Sequence, residues 1–316
     1  MKKLDEILKG VKSAAIAGHV NPDGDCVGSC MALYYYLADN YKEIHADVYL
    51  EEMRPVFGHL ERLDEIKKEA DPGKKYDLVI LLDVSSLDRI GVAGDIFETA
   101  DRTVCIDHHI TNPGIAMVNH IVPDASSACE VLFDLMEKER ISKAAASALY
   151  TGIVHDCGVF QYSNTSSKTM ETAGWLMDQG IPFTRIIEDS FFKKSYNQNR
   201  MMGYVLMNSS LYLEGRCIGA SVTKEDMERF GTQARDLDGI INQMRLTEGV
   251  EAALFLYALD ENRYKVSMRS NGKADVSAIA MSFGGGGHFM AAGCTLDGTP
   301  EEIMKKLVDA VKQQLN

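Results

Sequence analysis

Three consecutive residues, Asp107, His108 and His109, have side chains that could bind a metal ion or carry a proton, and they follow an apolar run at 103–106. A run of this length is typical of a buried strand. Side chains at the carboxyl end of such a strand face the crevice in which open α/β sheets bind their substrates. Alone, an Asp-His-His triplet fits a polar loop as well as a metal site. The interpretation therefore depends on acidic residues elsewhere in the chain.

Three further clusters end similar runs. His19, Asp23 and Asp25 project from one turn after an apolar strand at 13–18, and carboxylates with an imidazole suit manganese, iron or cobalt better than calcium. Asp83 ends a continuous apolar run at 76–82, where a buried carboxylate needs a cation or hydrogen-bond donors. Asp156 ends a small apolar helix that begins near residue 142. The four clusters together predict a metal site.

Two of these clusters also have a structural interpretation. The turn at 21–25 could cap the helix that we predict at about 25–38. Arg89, six residues after Asp83, could be the ion-pair partner of that carboxylate. Neither alternative is excluded by these residues alone.

The elements that must position these residues predict an α/β protein. Continuous apolar runs indicate a parallel sheet buried on both faces, with a helical stretch around 54–69. We predict a doubly wound N-terminal domain at 1–185, a helical linker at 186–208 that acts as a hinge, and a smaller α/β domain at 209–316. The second domain should have a sheet of four or five strands, with the substrate cleft between the two domains.

The second domain contains a run of glycines, Gly284 to Gly287, followed by His288, and Arg269 lies on a nearby predicted strand end. Glycines let the backbone approach an anion closely and leave the amides free to donate. Arg269 and His288 could add charge-assisted bonds to phosphate. A flexible glycine hinge is the alternative.

The amino-acid composition excludes some classes of function for this protein. The net charge of −13 over 316 residues argues against a protein that grips long duplex nucleic acid. The seven cysteines form no CxxC pair, which indicates reduced thiols. We find no signal peptide and no apolar run long enough to span a membrane, so a cytoplasmic location without membrane association is expected.

The motifs resemble those of the DHH phosphoesterases in order and spacing. The residues that carry this resemblance are His19-x-x-Pro22-Asp23-x-Asp25-x-x-Gly28-Ser29, Asp83 with Arg89-Ile90-Gly91, Asp107-His108-His109 and Gly152-Ile153-x-x-Asp156-x-Gly158. The segment from Arg269-Ser270 through Gly284–His288 to Ala291-Ala292-Gly293 is similar to the C-terminal domain associated with many of them. The length is most similar to that of the bacterial nanoRNase/pAp phosphatases.

This resemblance implies a two-metal site. One ion would be held by His19, Asp23 and Asp83, and the second by Asp25, Asp83, His108 and Asp156. Asp107 would orient a ligand and His109 would face the substrate phosphate. The substrate would be bound by Arg269, Ser270, Gly286, Gly287 and His288. Two divalent ions are expected, with Mn²⁺ preferred to Mg²⁺ or Co²⁺.

The implied reaction is hydrolysis of very short RNA, including pApA, to mononucleotides, and of pAp to AMP, by a metal-bridging hydroxide that attacks phosphorus. A preference for pApA over general short RNA stays open, as do a homodimer and the identity of the metal. A pyrophosphatase or exopolyphosphatase shares the metal motifs. A non-catalytic nucleotide-binding regulator is a further alternative, although it should have lost at least one ligand.

Overall fold

The computed structural model describes residues 3–71 and 73–315, and the chain divides into two units, the first ending at Lys193 and the second beginning at Lys194. Within the described ranges, no helix is both long and apolar enough to cross a membrane. All seven cysteines are buried and free of disulfides. Each unit has its own sheet and its own core.

The first unit contains a five-stranded parallel sheet in the order β2-β1-β3-β4-β5. Its strands are β1 (Ser13–Ala17), β2 (His45–Tyr49), β3 (Leu78–Leu82), β4 (Thr103–Asp107) and β5 (Val118–Ile121). The strand order reverses between the neighbours β1 and β3, and such a switch point opens a crevice at the carboxyl ends of the strands. The residues that follow β1 and β3 therefore meet in that crevice.

Both faces of this sheet are buried, because alternate residues of a strand point to opposite sides. Ile80 and Leu82 join the larger core beneath the long helices, whereas Val79 and Leu81 join a smaller core on the other face. The helices of this unit are α1 (Leu4–Leu8), α2 (Gly24–Asn40), α3 (Gly94–Glu98), α4 (Ala128–Leu135), α5 (Lys143–Asp156), α6 (Ser167–Asp178) and α7 (Phe183–Ile187). The predicted doubly wound parallel fold is confirmed.

The second unit has a mixed six-stranded sheet in the order β10-β11-β9-β8-β7-β6, in which only β7 and β8 are parallel. Its strands are β6 (Ser210–Tyr212), β7 (Cys217–Val222), β8 (Ala252–Asp260), β9 (Arg263–Ser270), β10 (Gly286–His288) and β11 (Ala291–Asp297). Its helices are α8 (Tyr196–Met207), α9 (Lys224–Phe230), α10 (Ile240–Arg245), α11 (Val276–Ser282) and α12 (Pro300–Leu315). The second α/β unit is confirmed, with more strands than predicted.

Two local predictions were wrong. The helical stretch around 54–69 is instead a loop with two short 3₁₀ turns, Pro55–Phe57 and Leu63–Glu65. Arg62 has φ 56°, which an α-helix cannot accommodate, and Lys67 forms a parallel bridge with Tyr49. Helix α8, which we assigned to the linker, buries Met201 and Val205 in a core of the second unit. A five-residue π-helical turn, Glu188–Phe192, precedes the division between the units.

Candidate metal centre

His19 lies just beyond β1 and is almost completely buried. Its Nδ1 is 2.7 Å from the Val20 carbonyl oxygen, and its Nε2 is 3.4 Å from Asp83 Oδ2 and 3.7 Å from Asp23 Oδ1. A proton on Nδ1 that is donated to Val20 leaves the Nε2 lone pair directed at the carboxylates, as metal ligation requires. Arg89 Nη2 lies 3.2 Å from Nδ1, and accepting from it would need the opposite tautomer. The shorter contact, to Val20, favours the tautomer that can bind a cation.

Asp83 follows β3 directly and has a backbone φ of 58°, in the left-handed region that few non-glycine residues occupy. Strain of this kind concentrates at functional sites. The side chain is 3% exposed, and its Oδ1 has no hydrogen-bond partner among the described residues. Burial and the nearby charge of Asp25 raise the pKa of Asp83 well above its ordinary value. A buried carboxylate without a donor fits a site that is completed by a cation.

Asp25 is the second residue of α2 and is buried against the start of α4. Its two carboxylate oxygens accept the backbone N–H groups of Ala128 (2.6 Å) and Cys129 (3.0 Å). The amino terminus of a helix favours such an anion, so α4 holds the carboxylate in one orientation. Burial nevertheless raises the pKa of Asp25. Asp25 therefore has a structural contact and retains lone pairs for a cation.

His108 faces three carboxylates. Its Nδ1 is 3.3 Å from the Ala125 carbonyl oxygen, and its Nε2 is 3.3 Å from Asp156 Oδ2, 3.7 Å from Asp83 Oδ1 and 3.9 Å from Asp25 Oδ2. Asp156 is the last residue of α5, and burial together with the charge of Asp25 raises its pKa well above the ordinary value. One imidazole nitrogen among three carboxylate oxygens is a donor set suited to Mn²⁺ and similar ions.

Asp107 is fully buried and accepts hydrogen bonds from both sides. Its Oδ1 is 2.8 Å from His109 Nδ1 and 2.8 Å from the backbone N of His108, while Oδ2 is 2.6 Å from Asn112 Nδ2. Burial opposes its ionisation, but the hydrogen bonds from His109 and Asn112 outweigh burial and lower the pKa of Asp107. Asp107 thus fixes the His109 ring, whose Nδ1 lies 3.5 Å from Asp83 Oδ1.

The six predicted metal ligands come together as two adjacent sets. Within each set, one ligand atom per residue lies within 4.8 Å of the others; the sets are His19, Asp23 and Asp83, and Asp25, His108 and Asp156. A further set with the same spacing is Asp83, Asp107, His108 and His109. Asp83 is close to both ligand sets, as a bridging carboxylate requires. Burial raises the pKa of three of these carboxylates, so the cluster of negative charge fits divalent cations.

The predicted substrate residues lie in the second unit and fall into two groups. Arg269 is partly accessible, with its Nε 3.2 Å from Asn242 Oδ1 and its Nη1 3.1 Å from the Met268 carbonyl oxygen. The neighbouring Ser270 is 1% exposed. Its hydroxyl accepts the backbone N–H groups of Gly272 and Ala274, so it shapes its own turn. The structure does not place the Ser270 hydroxyl on the same face as Arg269, because successive strand residues point to opposite sides.

Gly286, Gly287 and His288 form β10, so the second half of the glycine run is part of a strand, while Gly284 and Gly285 precede it. Gly287 has φ 147°, and a Cβ there would lie 2.5 Å from the Ala291 carbonyl oxygen. A Cβ on Gly286 would meet open space. His288 is exposed and pairs with Ala291, which pairs with Arg269 on the next strand. The register therefore puts His288 and Arg269 on one face of the sheet.

Sequence reasoning did not find Asn112, which holds Asp107 and also donates to the Val84 carbonyl oxygen at 3.0 Å. The available signal was an Asn five residues after the Asp-His-His triplet, in a loop long enough to fold back. His155, which precedes Asp156, is expected from the sequence to point away from the metal ligands, and its Nε2 lies 3.0 Å from Ser190 Oγ in the π-helical turn. A Cβ on Gly24 would lie 2.2 Å from the His155 ring.

Two family models match the chain. The DHH family N-terminal domain matches residues 13–153, and the DHHA1 domain matches residues 215–316. The first match covers β1 to β5 and ends three residues before Asp156. The second covers all of the second unit's sheet except β6.

Similar proteins cover nearly the whole chain. The bifunctional oligoribonuclease and PAP phosphatase NrnA of Thermus thermophilus is 29% identical over 100% of this chain and 94% of its own length. The protein of the same name in Bacillus subtilis is 27% identical over 88% of this chain and 87% of its own length. The crystal structure of an exopolyphosphatase-related protein from Bacteroides fragilis has a TM-score of 0.88 at 27% identity, covering 98% of this chain and 94% of that one.

Proposed function

The chain carries the N-terminal domain of the DHH phosphoesterases, which are metal-dependent hydrolases, joined to a DHHA1 domain, and from this premise we propose that it hydrolyses very short RNA to mononucleotides and pAp to AMP. The observation that carries the metal-dependent part is the convergence of three carboxylates, those of Asp25, Asp83 and Asp156, on His108. The Oδ1 atom of Asp83 also has no donor within the described residues. The substrate class is supported by the names of the two NrnA relatives.

We assign His19, Asp23 and Asp83 to one divalent ion, and Asp25, Asp83, His108 and Asp156 to a second. Two such ions would supply Lewis acidity and an activated water for in-line displacement at phosphorus. Mn²⁺ is the expected ion because the donor set mixes imidazole with carboxylate.

The protein's own groups have separate tasks in this proposal. Asp107 holds the His109 ring through the 2.8 Å contact with Nδ1, which leaves Nε2 free to approach a phosphate oxygen. In the second unit, Arg269, His288 and the backbone of Gly286 and Gly287 bind a substrate phosphate. Ser270 contributes indirectly, by holding the turn after β9 with its hydroxyl.

A product-resolved assay with Mn²⁺ tests the proposal, using pApA, a five-nucleotide RNA, pAp and pyrophosphate as substrates. We expect release of AMP from pApA and pAp and of mononucleotides from the RNA. The ratio of rates on pApA and on the RNA distinguishes turnover of a signalling dinucleotide from general RNA recycling. Activity on pyrophosphate alone would contradict the RNA proposal and favour a pyrophosphatase or exopolyphosphatase.

The metal assignment has its own test. Asp156→Ala and His108→Ala should each lower turnover by more than about 1,000-fold, because a catalytic ion supplies several kcal/mol of transition-state stabilisation. Asp88→Asn is the matched control, since Asp88 is an exposed carboxylate five residues after Asp83. Retained activity in either ligand variant would contradict the assignment. A purified protein that binds no divalent ion would instead favour a non-catalytic nucleotide-binding regulator.

A further inference from the structure

Strand β9 has one buried face and one accessible face. Tyr264, Val266 and Met268 are buried and share a core with α11 and α12. The alternate residues Lys265, Ser267 and Arg269 are partly exposed, so they point to the opposite side of the sheet. Arg269, the proposed phosphate contact, is therefore one of three accessible side chains in line on this strand.

Three rows of paired residues cross this accessible face. From β9 through β11 to β10, the rows are Arg269–Ala291–His288, Ser267–Gly293–Gly286 and, on β9 and β11 alone, Lys265–Thr295. The middle row has two glycines and a serine, so little side chain stands between the cations on either side of it. The face carries a basic residue at both ends and, in the middle row, glycine backbone that is exposed at Gly286 and partly exposed at Gly293.

The charge of this face contrasts with that of the whole chain. None of the residues in the three rows is acidic, whereas the chain as a whole has a net charge of −13. Farther along β9, Arg263 is 4.0 Å from Asp297, which partly neutralises it. Lys265 pairs with Thr295 and Tyr257 on its neighbouring strands, and neither side chain offers it a carboxylate. Within the described residues, the cross-strand neighbours of Lys265 therefore place no carboxylate opposite it.

We propose that Lys265 is a second phosphate-binding residue, which contacts a phosphodiester of an RNA whose terminal phosphate is held by Arg269 and His288. Lys265 lies four positions before Arg269 on β9, roughly 13 Å along the strand. That distance is longer than the separation of two phosphates on one ribose, so pAp does not reach both cations, whereas an oligonucleotide continues to Lys265. The inference rests on the proposed function and adds a basis for discrimination by substrate length.

The test measures kcat/KM on pAp and on a five-nucleotide RNA at several salt concentrations. Lys265→Met keeps the apolar stem and removes the charge. It should lower kcat/KM on the RNA by about tenfold, mainly through KM, because a charge-assisted hydrogen bond is lost. One fewer contact with a single strand should also make the slope of log kcat/KM against log salt shallower by about 0.7. Its kcat/KM on pAp should be unchanged.

Two further variants separate charge from structure. Lys265→Arg keeps a cation at the same place and should retain most of the activity on RNA. Lys305→Ala removes an exposed lysine from α12, which packs on the opposite face of the sheet, and should leave both substrates unaffected. If wild-type protein cleaves both substrates but Lys265→Met behaves like Lys305→Ala, or loses both activities equally, this inference fails alone. If wild-type protein cleaves neither substrate, the proposed function fails together with it.

Discussion

Asp83 combines three features that rarely occur in one residue: a left-handed backbone, near-complete burial and a carboxylate oxygen without a donor within the described residues. Without a cation, each of these features destabilises the folded state. The raised pKa of Asp83 expresses the same cost, since the folded protein disfavours the charged form. These features are therefore consistent with a role of Asp83 in binding a cation, and not with a role in stabilising the core.

A first prediction concerns Asp83→Asn. Asn also tolerates the left-handed backbone, and it removes the buried charge. In the absence of divalent ions, the variant should unfold at a higher temperature than wild type. Because a raised folded pKa gives stability that is lost as pH rises above the unfolded value of 3.8, this advantage should grow between pH 4 and pH 8. Thermal unfolding in chelator across that range measures it.

Asp83→Asn should at the same time lose the stabilisation that Mn²⁺ gives to wild type. A variant that is less stable than wild type without metal at pH 8 would contradict the view that Asp83 is strained for function.

A second prediction concerns Asn112, which holds Asp107 through the 2.6 Å contact with Oδ2. Asn112→Ala leaves the proposed metal ligands in place but removes a support of the Asp107–His109 pair. Loss of such a partner typically lowers metal affinity or activity by about 10- to 100-fold. Steady-state kinetics with Mn²⁺ titration measures the effect. Asn119→Ala is the control and should be close to wild type, because the hydrogen bonds of the Asn119 amide to described residues are with the Ala116 backbone.

The charged residues of the site could be predicted from the sequence, whereas the neutral residues that form the supporting hydrogen bonds could not. His19, Asp83 and Asp107 were found because each lies at the end of an apolar run. A charged side chain buried there is costly unless it binds a cation or a hydrogen-bond donor. Asn112 and Ser270 carry no such contrast with their surroundings. Their roles depend on which backbone groups a loop brings near, and periodicity does not contain that information.

At the scale of elements, the close packing of α2 against α5 brings Asp25 near Asp156. Gly28 faces α5, where a Cβ would lie 2.6 Å from the Ala148 carbonyl oxygen and 2.9 Å from the Gly152 nitrogen. These are backbone atoms, which cannot yield as a flexible side chain can. The distance between the two helices therefore depends on the absence of a side chain at Gly28.

A third prediction follows for Gly28→Ala. Overpacking at this contact should lower the free energy of unfolding by about 1–3 kcal/mol, and it should weaken Mn²⁺ binding because Asp25 lies one turn away on the same helix. Gly174→Ala in α6 is the matched control, since a Cβ there meets nothing within 4 Å. The control should be more stable by about 0.5–1 kcal/mol. Chemical denaturation and metal titration compare the two.

Strands β1, β3 and β4 could be predicted because buried parallel strands are short, mostly apolar runs. The region 54–69 misled us because its apolar spacing resembles a helix, while Pro55 and Gly58 stop it and Tyr34 and Tyr35 bind its loop through Glu65 and the Glu61 carbonyl. Strand β10 was missed because glycine has low strand propensity. There, pairing with β11 overrides that propensity.

At the scale of the whole molecule, the two units have separate cores, and all six proposed metal ligands lie in the first. A fourth prediction is that metal acts on that unit alone. Mn²⁺ at about 100 times its dissociation constant should add about 2.7 kcal/mol to the stability of the first unit. Hydrogen exchange should show slower opening of β3 and β4, with β8 and β9 unchanged. A chelator should reverse the effect, and Asp156→Ala should not show it. Equal protection of both units would contradict this prediction.

The excess of acidic over basic residues in the chain is also consistent with the proposed assignments. Carboxylates gathered around divalent ions are partly neutralised when the ions bind, and the cations needed for substrate are confined to one face of the second sheet. A net charge of −13 thus disfavours long nucleic acid while it permits a short strand to bind locally.

The proposed ligands come from four stretches of chain, of which the last ends at Asp156. During synthesis the chain emerges from its amino terminus, so His19 and Asp83 leave the ribosome long before α5 does. Until α5 packs against α2, the buried carboxylates lack one wall of their site. A nascent chain that ends before α5 is therefore expected not to bind metal, and ion binding becomes available only when α5 completes the first unit, while the second unit is still being made.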